Sequence, residues 1–199
     1  MTYDAEATRR RIFVAATAEF AAYGLAGARI DRIARAARAN KQGIYLYFGD
    51  KEKLFGEVVR DKVDEVCHAT DLGPGDLGES VGHLFDWYQE HPELIRLLLW
   101  EALESREEVQ GELERREMYR EIVRGAQAGG IAGGPSGEGA RRLAQDWMFT
   151  ILGLVAWNFA VPQLCRLVLD EDDEAAALAR RRASVVETAR VLAEARRFA

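Results

Sequence analysis

Residues 39–53 read ANKQGIYLYFGDKEK, a set of side chains suited to reading a polyanion. Lys41 and Gln42 are long hydrogen-bonding residues at successive positions, the types that reach base edges from the first turn of a helix. Tyr45 and Tyr47 offer hydroxyls that meet phosphate oxygens without a charge, and Lys51 adds an ammonium beside the free amides of a helix start. Catalysis finds no comparable set. His68, His83 and His91 share no i, i+4 pairing and no H-E-x-x-H arrangement, and no P-loop, nucleophile elbow or dinucleotide fingerprint occurs. Cys67 and Cys165 stand far apart, without metal-ligand or C-x-x-C spacing, and read as buried thiols of a cytoplasmic protein. We therefore expect no catalytic residue, no metal site and no cofactor.

Positioning these groups requires helices, and helical periodicity covers nearly all of the chain. Residues 4–23 carry Ile12, Ala16 and Phe20 at spacings of three and four, and the pattern stops at Gly24. A short helix over 29–37 puts Ile30, Ile33, Ala34 and Ala37 on one side. Asn40 suits the N-cap of a third helix ending at Phe48, and Asp50 suits the cap of a fourth that runs to about 71. In the third helix Ile44 and Phe48 point inward, leaving Lys41, Gln42, Gly43, Tyr45 and Leu46 outward with Tyr47 to one side. Two short helices joined by a turn at Arg38–Ala39 have the lengths of a helix-turn-helix. LGPGDLG at 72–78 then breaks the chain. Helices follow over about 77–90, 92–104 and 106–128, then, after a Gly-rich turn at 129–139, over about 138–164 and 172–197. The fold class is all-α with about nine helices. It divides into a helix-turn-helix head (1–50), a connecting helix (51–71) and a helical bundle (72–199).

Charge divides along the same line. Residues 1–60 hold eleven bases and seven acids, net +4, whereas the remainder is at −10 within an overall −6. A basic head on an acidic body suggests that only the head faces a polyanion. Trp147 to Cys165 is uncharged for 19 residues, near a spanning length. Thr150, Asn158, Pro162 and Gln163 interrupt it, however. Its two apolar stripes (Trp147, Ile151, Leu154, Asn158, Val161 and Met148, Leu152, Val155, Phe159) fit a helix buried on both sides. One side would serve the chain's own core and the other a second copy. With Leu178, Val185, Ala189 and Leu192 among many alanines of the last helix, this predicts a homodimer through 138–164 and 172–197, not a membrane span.

The run from Ile12 to Val59 resembles the DNA-binding domain of the TetR/AcrR family of bacterial transcriptional regulators. The likeness lies in the order and spacing of an Ala-rich first helix, Phe20, Gly24, Ile33–Ala34, Ala37, Ile44, Tyr45, Tyr47, Phe48, Lys51 and Leu54. It implies a homodimeric, one-component regulator, commonly a repressor, that binds a double-stranded DNA operator and responds to a small-molecule effector held in its C-terminal domain. Carried over as DNA contacts are Lys41, Gln42, Tyr45, Tyr47 and Lys51, with Arg29 and Asn40 as further candidates and Gly43 as a gap in the reading surface. Three departures stand out: Arg38 where the turn usually has Gly, Gly43 where a small hydroxyl residue is usual, and Ala28–Arg29 where a Thr or Ser often begins the preceding helix. Gly43 costs its helix about 1 kcal/mol relative to Ala.

The effector pocket is the least legible part. Candidates are the aromatic and soft residues Trp87, Trp100, Met118, Trp147 and Phe149 and the polar residues His83, Glu101 and Asn158, with Gln145 a further polar candidate. Two other classes fit an all-helical chain: a small-molecule-binding or scaffold protein with no DNA role, and an enzyme on a helical bundle. DNA affinity that collapses with salt separates the regulator from both.

Overall fold

The computed structural model describes residues 2–70, 77–104, 109–128 and 137–197. These form ten α-helices and no strand among the described residues: α1 Thr2–Gly27, α2 Ile30–Ala37, α3 Lys41–Phe48, α4 Lys51–Ala69, α5 Leu77–Glu90, α6 Pro92–Glu104, α7 Glu112–Ala128, α8 Glu138–Ala160, α9 Pro162–Leu169 and α10 Glu174–Arg197. Most of the expected chain breaks at 72–78 and 129–139 lie outside the described residues. Two compact units result, and they do not follow the linear division into head, connector and body. Glu93–Arg115 joins Met1–Asp64 in one unit, and Glu65–Pro92 with Arg116–Ala199 forms the other.

The first unit packs Ile12, Ala16 and Phe20 of α1 against Ile33, Ile44, Phe48, Leu54 and Phe55, all nearly inaccessible to solvent. Phe20 meets Phe55 edge-on at 5.1 Å, a favoured aromatic geometry. α1 kinks at Gly24, whose φ of 68° lies in the left-handed region. Such a break leaves carbonyls orphaned before it and amides orphaned after it. One face of α6 supplies partners for both. The Ala21 carbonyl accepts from Arg96 Nε at 2.8 Å and from the Trp100 indole at 3.3 Å. The Glu104 carboxylate accepts from the amides of Leu25 at 2.6 Å and Ala26 at 3.0 Å. The neighbouring Glu101 is buried in a two-pronged ion pair with Arg115 Nη1, at 2.8 and 2.9 Å. These bonds are why 93–115 belongs with the head.

The second unit is built on α5, α8 and α10, with Val81, Phe85, Ile151, Val155, Val185 and Ala189 fully buried. Phe159 lies 4.9 Å from Phe85 and is stacked on Tyr88 at 6.0 Å. Burial pushes the Tyr88 phenol far above its ordinary range, so the ring stays neutral. Gly82 lets Arg182 cross α5 closely enough to grip Asp86 at 2.6 and 2.7 Å; a Cβ there would meet the guanidinium at 2.8 Å. Asp173 caps α10, its carboxylate accepting from the amides of Ala175 and Ala176.

Two helix boundaries differ from the periodicity. The helix expected over 138–164 ends at Ala160, and α9 starts anew at Pro162, at 87° to α8. Proline at the first helical position has no amide to donate and drives the preceding residue out of the helical region; Val161 sits at φ −133°, ψ 61°. Ten helices therefore stand where about nine were expected. The helix expected from 106 begins at Glu112, after Gly111 at φ 68°; residues 106–108 lie outside the described set. Among the described residues no single helix is long and apolar enough to cross a membrane; only the bent pair α8–α9 would pass on length and composition.

Candidate nucleic-acid interface and ligand cavity

Within the first unit α2 buries Ile30, Ile33, Ala34 and Ala37 at helical spacing. It stops at Arg38, at φ 51° and ψ 43°. The Ala39 amide donates to the Ala34 carbonyl at 2.9 Å and the Arg38 amide to that of Arg35 at 3.2 Å. This is the paired bonding of a Schellman end, with arginine in the left-handed position that glycine usually fills. The turn thus keeps its geometry despite the substitution, at a backbone cost of about 1–2 kcal/mol. Asn40 then opens α3, its side-chain oxygen accepting from the Gln42 amide at 2.9 Å. Gly49 closes the helix at φ 84°. Asp50 starts α4 by accepting from the Lys53 amide at 2.7 Å, and that bond holds its carboxyl below the usual range.

Only Ile44 and Phe48 of α3 are buried. Lys41, Gln42, Tyr45 (43% exposed), Leu46 (84%) and Tyr47 all face solvent, as the spacing predicts. Around Gly43 nothing lies within 4 Å of where a Cβ would stand, so the surface has a real gap there. Lys51 is less accessible, its ammonium 3.4 Å from the Ala28 carbonyl, and the Arg29 side chain is exposed. The eight DNA-contact candidates therefore share one stretch of one unit, from the start of α2 to the start of α4. Asn40 has its side-chain oxygen committed to the cap.

Two acids on this surface escaped the sequence reading. Glu19 of α1, nearly buried, accepts from the Arg29 amide at 2.9 Å and from Arg32 Nε at 2.7 Å, replacing the missing hydroxyl at the start of α2. Arg32 in turn lies 4.3 Å over the Tyr23 ring. Asp31 of α2 pairs with Lys41 at 3.0 Å and holds the lysine ammonium above its ordinary pKa by hydrogen bond and charge. Neither contact has a local sequence signal, because each joins two helices.

The effector candidates do not converge. Trp100 and Glu101 belong to the first unit, one bonded to Ala21 and the other spent on Arg115. In the second unit His83 is exposed, and Trp87 packs against Tyr88 and against His91 at 4.5 Å. The Met118 sulfur meets Cys67 at 3.7 Å. Asn158 donates to the Leu154 carbonyl at 2.8 Å and accepts from Arg181 at 3.0 Å. Trp147 is 1% exposed, with its indole N–H unpartnered among the described residues. Of the nine candidates only Phe149 and Gln145 line this unit's cavity of about 510 Å³ between α7 and α8. Val123, Met148 and Leu152 supply the rest of its apolar wall, Tyr119 and Gln145 its neutral polar groups, and Arg116, Arg120 and Arg141 its charge. Arg116, Tyr119, Arg120 and Val123 recur at i, i+3, i+4 and i+7, a spacing visible in the sequence but shared with any solvated helix face.

Comparison with known proteins covers most of the chain. Residues 12–58 match the model of bacterial regulatory proteins of the tetR family, and residues 76–190 match that of the tetracyclin repressor-like C-terminal domain. The HTH-type transcriptional repressor SCO4008 of Streptomyces coelicolor is 41% identical over 171 residues, 85% of this chain and 88% of that protein. The solved transcriptional regulator SCO4942 of the same organism superposes with a TM-score of 0.72 at 31% identity, over 93% of this chain and 97% of the other. The regulator FadR of Bacillus subtilis, solved in complex with stearoyl-CoA, shares the fold with a TM-score of 0.65 at 21% identity, over 90% and 96%. These relatives are regulators, not enzymes. The chain belongs to the TetR family of bacterial DNA-binding transcriptional regulators.

Proposed function

We propose that the chain is a cytoplasmic repressor that grips a pseudo-palindromic operator as a homodimer and lets go when a small molecule enters the second unit. The observation that carries this reading is the α2–turn–α3 surface, on which Lys41, Gln42, Tyr45 and Tyr47 project from a helix anchored only by Ile44 and Phe48. Each α3 would enter a major groove, two copies lying roughly 34–36 Å apart on one face of the duplex. Lys51, Arg29 and the cap at Asn40 would set the register on phosphates. The second copy would lie on α8 and α10, whose exposed residues include Trp157, Val191 and the small Ala179 and Ala183. Small residues allow close helix approach, and large exposed apolar ones favour burial between copies. The effector would occupy the α7–α8 cavity, of a size suited to a drug-sized molecule. It would shift the equilibrium only through its different affinity for the two states of the dimer.

Operator fragments selected from random DNA test the reading. Wild type is expected to bind them with an affinity that falls steeply with salt, and Lys41→Ala with Tyr45→Ala is expected to abolish specific binding. Undiminished binding by the double variant would remove the assigned surface.

A further inference from the structure

Between α7 and α8 the wall chemistry is specific enough to say what would enter. The segment after residue 60 is strongly acidic, with 26 acids to 16 bases, yet among the described residues this cavity is lined by three arginines and no carboxylate. Arg116 and Arg120 come from successive turns of α7, and Arg141 comes from α8, so cationic groups reach the space from both helices. Val123, Met148, Phe149 and Leu152 form an apolar wall beside them.

Neighbouring acids lie beside the cavity arginines without entering its lining. Glu117 is shared between Arg120 at 2.9 Å and Arg124 at 2.7 Å, and Glu138 between Arg141 at 2.7 Å and Arg142 at 3.1 Å. With Glu121 also 3.8 Å from Arg124, three carboxylates serve these four guanidiniums, so the acids are outnumbered by one. The same arginines hold the Glu117 and Glu138 carboxyls below the usual range, so neither is ready to take a proton from an arriving acid. Guanidinium forks match carboxylate, sulfonate and phosphate oxygens two at a time, whereas a neutral guest gains less from them and a cationic guest is repelled.

We propose that the α7–α8 cavity is a site for an organic anion with an apolar body, its acidic head held by Arg116, Arg120 and Arg141 and its body by Val123, Met148, Phe149 and Leu152. The assignment of this anion as the effector rests on the function proposed above; the anion site itself does not.

Calorimetric titration of the full chain with three ligands of one shape and different head charge tests the site: naphthaleneacetate, naphthaleneethanol and naphthaleneethylammonium. The acetate is expected to bind at least about tenfold more tightly than the alcohol, as charge-assisted hydrogen bonds allow. The ammonium is expected to bind more weakly than either. Arg120→Gln with Arg141→Gln is expected to remove the preference, whereas Arg124→Gln, on α7 but outside the cavity lining, is expected to keep it. All these arginines are solvent-exposed, so the variants are expected to keep the wild-type melting curve. No binding of the acetate, equal affinity of the three, a preference for the ammonium, or a carboxylate preference that survives the double variant overturns the proposal. Operator release, read separately, tells the two ideas apart. Arginine-dependent binding of the acetate without release upholds the anion site and refutes its effector role. Release by the alcohol or ammonium alone, with no carboxylate preference, refutes the site and leaves a small-molecule switch standing.

Discussion

Neutralising Asp31 is expected to make DNA binding tighter at low salt and more salt-sensitive. Its carboxylate lies 3.0 Å from the Lys41 ammonium at the first turn of α3, so the pair presents no net charge to an approaching duplex. In Asp31→Asn the ammonium is released to neutralise a phosphate, and each phosphate neutralised steepens the plot of log affinity against log salt by about 0.9. A dimer carries the change twice, giving a slope steeper by about 1.8. Between 50 and 200 mM salt that slope corresponds to about 12-fold more loss of affinity than in wild type. Fluorescence anisotropy on a labelled operator over that range measures it directly. The same titration on random duplex is expected to show a larger gain for the variant, because the freed lysine contacts phosphate in any sequence. Parallel slopes for wild type and Asp31→Asn would refute the reasoning. A steepened slope that persists in Asp31→Asn with Lys41→Ala would show that another group is responsible.

Four further outcomes follow from the same contacts. Glu19→Ala removes a nearly buried acceptor of two hydrogen bonds and should cost about 2 kcal/mol in denaturant unfolding, at unchanged m-value; a loss within experimental error would show the cap to be dispensable. Gly24→Ala places a Cβ 2.8 Å from the Trp100 ring at a φ of 68°, and should destabilise the chain by about 2 kcal/mol or more by thermal melting. Gly43→Ala meets open space and should stabilise the fold by up to about 1 kcal/mol; a simultaneous drop in operator affinity would show that DNA approaches the α3 backbone there. Asp50 has a folded pKa below its unfolded value of about 3.9, so its contribution is complete above that value and is lost as pH falls through the folded one. The melting temperature of Asp50→Ala should therefore lie below wild type at pH 6, with the gap closing as pH falls through the folded value; a gap independent of pH would refute the charged cap.

Short-range signals carried most of the fold. Asn40 and Asp50 read as caps because their partners lie two or three residues away, and both bonds are present. The core faces of α2 and α3 followed from spacing alone. The uncharged run over 147–165 masks the break that Pro162 imposes on Val161, a constraint that is local and readable in the sequence. Membership of Glu93–Arg115 in the first unit was not legible, since it depends on Arg96, Trp100 and Glu104 meeting residues more than seventy positions earlier. Periodicity places such residues on a face of α6 without saying what that face meets. For the same reason Trp100 and Glu101 looked like pocket residues in a list of aromatic and polar groups.

The basic character of the head also changes meaning once the acids are placed. A net +4 suggests a diffuse attraction to DNA, but four of the seven acids are each committed to one base: Glu57 to Arg9, Glu19 to Arg32, Asp31 to Lys41 and Asp50 to Lys53. Glu19 and Glu57 tie bases into the scaffold, Arg32 at the start of α2 and Arg9 over the Phe48 ring. Asp31 and Asp50 instead flank α3, one beside its first residue and one just past its last, where phosphates would pass in the proposed binding mode. An acid in that position weakens binding to every sequence alike, so it is tolerable only if contacts with the bases restore what it removes at the right sequence. In that binding mode, charge on this surface would serve discrimination as well as attraction, and the net figure describes neither without the positions.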